Sequence, residues 1–246
     1  MKRLIRAESL KLRTTRLFSC SFAAVPVLAG LVVLAVYRAA GRQGNDPLWA
    51  DSLMHAVGAQ ASVVTTMALL LGVIGLAGEY RHQTITTTLL AAPRRRDVVV
   101  AKVVVHALLG GAMAVMSVAA ASAVAVPWLV SAGIPLEVDT ELARVAAGLL
   151  VSTTLHGALG VSVAALLRNQ TAAVTIVVVW LLKGEDLLAG VLLPSWIGDW
   201  LPVALGSVLH AGAAGPSPWA AAASLTAYVV ALAAVGARVV VSRDVT

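Results

Sequence analysis

Three ionisable residues crowded into four positions, Lys183, Glu185 and Asp186, interrupt an apolar stretch about a dozen residues after it begins at Ala172. A charge at the centre of a bilayer costs at least about 2.5–3.5 kcal/mol on insertion scales. Such a cluster must therefore pair, face a polar interior, or mark a helix that ends early. Lys183 and Asp186 stand three apart and can pair on one helix face. With His156 the three would form a proton or ion relay, the chemistry of an ion-driven secondary transporter. Other chemistry is poorly represented. No G-x-x-x-x-G-K-[ST] pattern occurs, so no P-loop holds ATP in this chain and no enzyme activity of that kind is expected. His55, His82, His106, His156 and His210 lie in separate segments without metal-ligand spacing, and no metal site is expected. Gly160-Val161-Ser162 with His210 downstream superficially resembles an intramembrane serine protease, but Gly and Ser are ordinary residues of membrane helix interfaces.

The elements that must position these residues follow from composition. With 59% hydrophobic residues, 12% charged and a mean hydropathy of +0.90, the 246 residues exclude a soluble globular domain and define an all-α integral membrane protein. A net charge of +6 would suggest nucleic acid in a soluble chain; here it is concentrated in particular loops and sets orientation instead. The single Cys20 excludes an internal disulfide. Residues 1–17 carry Lys2, Arg3, Arg6, Lys11, Arg13 and Arg16 against Glu8 alone, and predict a cytoplasmic helix lying in the membrane interface. Leu4, Ile5, Leu10 and Leu12 do not form one clean stripe along it.

Six transmembrane spans are expected, at residues 18–37, 56–77, 103–126, 145–167, 172–193 and 219–241, as a single domain over residues 1–246. The first is too long for a signal-peptide core. External loops fall at residues 38–55, with Asp46 and Asp51, and 127–144, with Glu137, Asp139 and Glu141. Only four residues separate the fourth and fifth spans, with Asn169 or Thr171 available as an N-cap. Between the fifth and sixth, Gly190, Pro194, Gly198, Pro202 and Gly206 break the apolar run into a re-entrant external segment, with Trp196 and Trp200 as interfacial anchors. Residues assigned inside carry 14 Lys or Arg and 4 acids; the remainder carry 4 and 8. Both termini are therefore placed in the cytoplasm, Arg238, Arg243 and Asp244 closing the chain. In the second span Gln60, Thr65 and Thr66 can line a pathway or bond to neighbouring helices.

The longest polar interruption, residues 78–102, is read as a cytoplasmic loop. It holds Arg81, Arg94, Arg95, Arg96 and Lys102, and an uncharged short helix over residues 84–92 that Pro93 stops. Arg94 to Arg96 can also attract anionic lipid. The opening Glu8-Ser-Leu-Lys11-Leu-Arg-Thr-Thr-Arg16 and the series Gly78-Glu79-Tyr80-Arg81, Thr84 to Leu90, Pro93-Arg94-Arg95-Arg96 and Ala101-Lys102 resemble the ABC-2-type transporter permeases of bacteria. The resemblance extends over essentially the whole chain. It implies the membrane subunit of an exporter in the plasma membrane, driven by ATP and Mg that a separate ATPase binds, with no cofactor in this chain. It also implies a partnership with that ATPase and with a second, identical or similar permease. Residues 79–92 would be the coupling helix, with Glu79, Arg81, Thr84, Ile85, Leu89 and Leu90 as its contacts. Similar permeases often carry an acid near Glu185; the adjacent Lys183 and Asp186 depart from that pattern. The ion-driven secondary transporter is the alternative, and it is disfavoured by the lack of a repeat relating the first three spans to the last three.

Overall fold

The computed structural model describes residues 1–43, 53–91, 94–136 and 138–242. Expectations that concern Asp46, Asp51, Pro93, Glu137, Arg243 and Asp244 lie outside the described residues. Helices follow one another without a strand among the described residues: α1 (Lys2–Thr14), α2 (Arg16–Gln43), α3 (Leu53–Ala59), α4 (Ala61–Arg81), α5 (Ile85–Ala91), α6 (Arg95–Ser131) and α7 (Thr140–Leu167). After α7 come α8 (Gln170–Val179), α9 (Glu185–Leu187), α10 (Ser195–Gly198), α11 (Pro202–Ala211) and α12 (Pro218–Ser242).

Five helical stretches are long and apolar enough to cross a membrane: Arg16–Ala39, Leu53–Arg81 with a break at Gln60, Arg95–Ser131, Thr140–Leu167 and Pro218–Val240. The fifth span expected from sequence takes a different form. Residues 170–192 are α8 and α9 joined and followed by two π-helical turns, Trp180–Gly184 and Leu188–Leu192. Such wide turns are rare insertions in helices and are often found at functional sites. The polar loop expected over residues 78–102 is also shorter than its charges suggest. α4 runs on to Arg81 and α6 begins at Arg95, with Asp97 in its first turn, where a negative charge opposes the helix dipole favourably.

α7 is the axis of the bundle, packing against α4, α6, α11 and α12. Its sequence permits that many neighbours because glycines replace side chains where backbones meet. A Cβ on Gly72 of α4 would overlap the carbonyl oxygen of Gly157, and one on Gly160 would overlap that of Leu69. Close backbone approach through small residues is how membrane helices gain packing energy when lipid removes the hydrophobic drive. α7 starts on Asp139, whose side chain accepts from Leu142 N at 2.8 Å, and ends on Arg168 in the left-handed conformation (φ 50°). Arg168 also donates to the Val239 carbonyl, tying the α7–α8 turn to the end of α12. Asn169, one of the two expected caps, receives Ala172 N at 3.0 Å and starts α8.

Two packed regions occupy opposite ends of the bundle. One joins Leu76, Val98, Leu159 and Ala165 to Ile85 and Leu89 of α5. The other joins Val33, Tyr37, Val57, Ala121 and Leu149, with Tyr37 stacked on Trp128 at 5.3 Å between ring centres. The close α4–α7 contact makes a direct prediction. Gly160→Ala should destabilise the detergent-purified protein by about 1–3 kcal/mol through overpacking. Gly78→Ala, where an added Cβ meets nothing within 4 Å, should leave stability unchanged or slightly raised, because Ala favours helix. Equal thermal unfolding temperatures for the two variants would refute the close-contact account.

Candidate functional site

At the end of the bundle where α1, α4, α5 and α6 meet, four charged side chains from three helices form one cluster, in which Lys102 and Glu8 are buried, Glu79 is half-buried and Lys11 is exposed. Lys102 of α6 is 1% exposed and donates to Glu8 Oε2 at 2.6 Å and to Glu79 Oε1 at 2.8 Å. Lys11 of α1 reaches Glu8 Oε1 at 2.8 Å, Glu79 Oε1 at 2.9 Å and Thr88 Oγ1 of α5 at 3.2 Å. Two carboxylates therefore meet two ammonium groups, and the cluster is formally neutral. An isolated buried charge would be far too costly, so the buried Lys102 and Glu8 require their partners.

This pairing explains α1. Leu4, Ile5, Glu8 and Leu12 all face inward, whereas Leu10 is exposed. The inner stripe of the helix therefore includes a carboxylate, which a pattern of apolar residues does not reveal. Burial works to raise the Glu8 carboxyl, but the charge and hydrogen bond of Lys102, with those of Lys11, hold it below its ordinary 4.5. Burial likewise works against the Lys11 ammonium, and the Glu8 and Glu79 bonds hold it above 10.5.

α5 hangs beside the cluster. Gln83 takes a left-handed turn (φ 59°), Thr84 N bonds to Glu79 O at 3.0 Å, and the helix then lies with Ile85 and Leu89 buried. Arg81, Thr84, Thr86, Thr87 and Leu90 are exposed, Leu90 at 81%. Among the six residues expected to meet a partner, the structure thus divides two sets. Arg81, Thr84 and Leu90 face outward; Glu79, Ile85 and Leu89 hold the segment to the bundle. A cleft of ≈ 620 Å³ opens between α1, α4, α5 and α6 next to the cluster.

The charges of residues 183–186 also separate. Lys183 and Asp186 pair at 3.1 Å and are both exposed. Glu185 instead turns inward and accepts from Trp180 Nε1 at 2.8 Å, Val203 N at 3.0 Å and Ala204 N at 2.6 Å. Val203 and Ala204 are the second and third residues of α11, whose N-cap Leu201 has no side-chain acceptor. Glu185 supplies that missing cap from a distance, satisfying backbone donors that would otherwise stand alone. Among the described residues no hydrogen bond or ion pair joins Lys183, Glu185 or Asp186 to His156, whose Nδ1 lies 2.8 Å from Ser152 O on its own helix.

Thr65 and Thr66 line a small cavity of ≈ 40 Å³ with Ser62, His156, Ser207 and His210. Thr65 also meets Thr153 across the α4–α7 contact at 3.3 Å. Gln60 is apart from them, buried at the α3–α4 break and bonded through Nε2 to Val57 O at 3.0 Å. Sequence reasoning did not assemble Glu8, Lys11 and Lys102 into a site. The available signal was Glu8, the sole acid among the first 17 residues.

An all-helical bundle with several membrane-length apolar helices, a charged lock at one end and no three His, Cys, Asp or Glu grouped for a metal among the described residues defines a multi-pass membrane protein. The family model described as ABC-2 family transporter protein matches residues 4–184, so the chain belongs to the ABC-2 family and is a membrane transport permease. No curated protein matches the chain.

The cluster predicts a stability profile. Glu8, with its folded value lowered, stabilises the fold above about pH 4.5 and loses that contribution as pH falls through its lower folded value; Lys11, with its value raised, stabilises below about 10.5 and loses it as pH rises above. Lys102→Met should destabilise the protein by about 3–5 kcal/mol, because Glu8 and Glu79 would then share only the exposed Lys11. The triple variant Glu8→Gln, Glu79→Gln, Lys102→Met should recover part of the loss. Denaturant titration in detergent reads both, and an unchanged midpoint for Lys102→Met would contradict the lock.

Proposed function

We propose that this chain is the membrane-spanning permease subunit of an ATP-binding cassette exporter, moving a substrate outward on ATP hydrolysed by a separate ATPase. Family membership supports the transport role and the association with such an ATPase. The observation that carries the coupling is the two-sided α5. Ile85 and Leu89 fix it in the core between α4 and α6, Thr87 and Leu90 are exposed on the helix itself, and Arg81 and Thr84 are exposed just before it. A short helix held this way passes a push from outside directly to the two long helices that flank it. ATP and Mg belong to the partner, and no cofactor is assigned to this chain.

The proposed topology has six spans, the π-interrupted run 170–192 counting as the fifth, with α1, α5 and both termini on the cytoplasmic side of a bacterial plasma membrane. The charge asymmetry supports it. Two copies, or one copy with a similar permease, enclose the pathway. Thr66 and Ser62, less buried than Thr65 in the same small cavity, are the residues on α4 best placed to meet a substrate. The capped state of Glu185 and the exposed Lys183–Asp186 pair favour this reading over an ion-driven relay.

Leu90→Asp should leave folding intact and weaken association with the ATPase by about tenfold, the loss expected when a charge enters the core of an interface. Leu89→Asp should instead destabilise the protein itself. Co-purification with the ATPase and substrate-stimulated ATP hydrolysis measure the first effect, and full retention of both by Leu90→Asp would defeat the coupling role. For topology, in a Cys20→Ser background, Asp139→Cys should react with an impermeant maleimide from outside whole cells, whereas Arg95→Cys should not. The reverse pattern would invert the orientation.

A further inference from the structure

A second feature lies at the proposed cytoplasmic side. Between α6 and α12 lies an open groove of ≈ 740 Å³. Its floor and walls are Val100 and Val103 of α6 with Val229, Ala233, Ala234 and Ala237 of α12, so it presents almost only methyl groups. Two arginines, Arg96 from the start of α6 and Arg238 from near the end of α12, also line it. Both are exposed, and neither takes part in an ion pair among the described residues.

From Val229 to Arg238 the groove runs for nine residues of α12, about 14 Å at the helical rise, close to half of the ~30 Å hydrocarbon core. One end of an apolar slot thus lies at the depth of a leaflet's chains and the other at the depth of its headgroups. Valine and alanine side chains leave room along it that a larger residue would fill. Two arginines supplied by different helices match an anionic phosphate better than one, since the guanidinium fork bonds phosphate oxygens in pairs.

We infer that the α6–α12 groove binds one phospholipid with an anionic headgroup, its acyl chain along Val100, Val229 and Ala234 and its phosphate between Arg96 and Arg238. The assignment to the inner leaflet rests on the topology proposed above; the binding itself does not. A bound lipid there would bridge the helix that follows α5 and the last helix of the chain.

Native mass spectrometry of the full-length protein, purified in mild detergent and supplied with equal amounts of phosphatidylglycerol and phosphatidylcholine, tests this directly. Wild type should retain phosphatidylglycerol with a preference of about thirtyfold, roughly fivefold for each arginine near the headgroup. The Arg96→Gln, Arg238→Gln double variant, which alters only exposed side chains, should lose the preference. Ala234→Phe should reduce retention of both lipids by filling the slot, with circular dichroism verifying its fold. Millimolar inorganic phosphate should leave the bound lipid in place. An unchanged preference in the double arginine variant overturns the site, as does displacement by phosphate, which would mark a site for free anion. In a Cys20→Ser background, disulfide formation between two copies carrying Ala234→Cys would mark the groove as a subunit interface and also overturn it. An inverted maleimide pattern would move the lipid to the other leaflet while leaving these results intact, so failure of the site and failure of the topology are read separately.

Discussion

A buried ammonium must be answered by a carboxylate, and that constraint organises one whole end of this permease. Lys102 has 1% of its side chain exposed and touches Glu8 at 2.6 Å and Glu79 at 2.8 Å. Loss of either acid leaves Lys102 with a single carboxylate, in a medium where the cost of an unpaired charge is severe. α1 is therefore a structural part of the bundle rather than a loose amphipathic leader, and the ends of α4 and α6 are fixed relative to each other. α5 is attached to the same assembly by Ile85, Leu89 and the Lys11–Thr88 hydrogen bond. The pairs are worth more as a constraint on geometry than as a source of stability, because much of their attraction is consumed by desolvation.

The opposite end is held by different physics. Glu185 replaces an absent N-cap on α11 and accepts a third hydrogen bond from Trp180, so one carboxylate satisfies donors from both sides of the broken segment. The two π-helical turns around it, Trp180–Gly184 and Leu188–Leu192, let the chain place that acid inward while Lys183 and Asp186 remain outside. Between the two ends α7 packs through glycines, with backbones of α4 and α7 too close at Gly72 and Gly160 to admit a methyl group. The bundle thus combines a polar lock at one end, a capped break at the other and a close-packed middle.

Much of this was legible before any coordinates. Apolar run lengths located the long helices, the uncharged residues after Gln83 located α5, and Asn169 was visible as a cap. Family membership was readable from the motifs around Glu8 and Glu79. What remained hidden was hidden for physical reasons. Lys102 reads as the last positive charge of a loop, and only the run of α6 back to Arg95 carries it inside. The stripe of α1 looked irregular because its central member is Glu8, a residue that burial patterns count as polar. The inward faces of Ile85 and Leu89 could not be told from docking residues, since a short apolar face is the same whether it meets its own bundle or a partner. The π turns leave no periodic mark, and the cap from Glu185 to Val203 and Ala204 spans a break in helix that no spacing rule crosses.

Hydrogen exchange of the Lys102→Met variant against wild type, read by mass spectrometry in lipid nanodiscs, tests the lock most directly. The account predicts that residues 2–14 and 85–91 lose protection together while residues 140–167 in α7 keep theirs. Undiminished protection of residues 2–14 in the variant would show that α1 is held by something other than the buried charges, and would contradict the account.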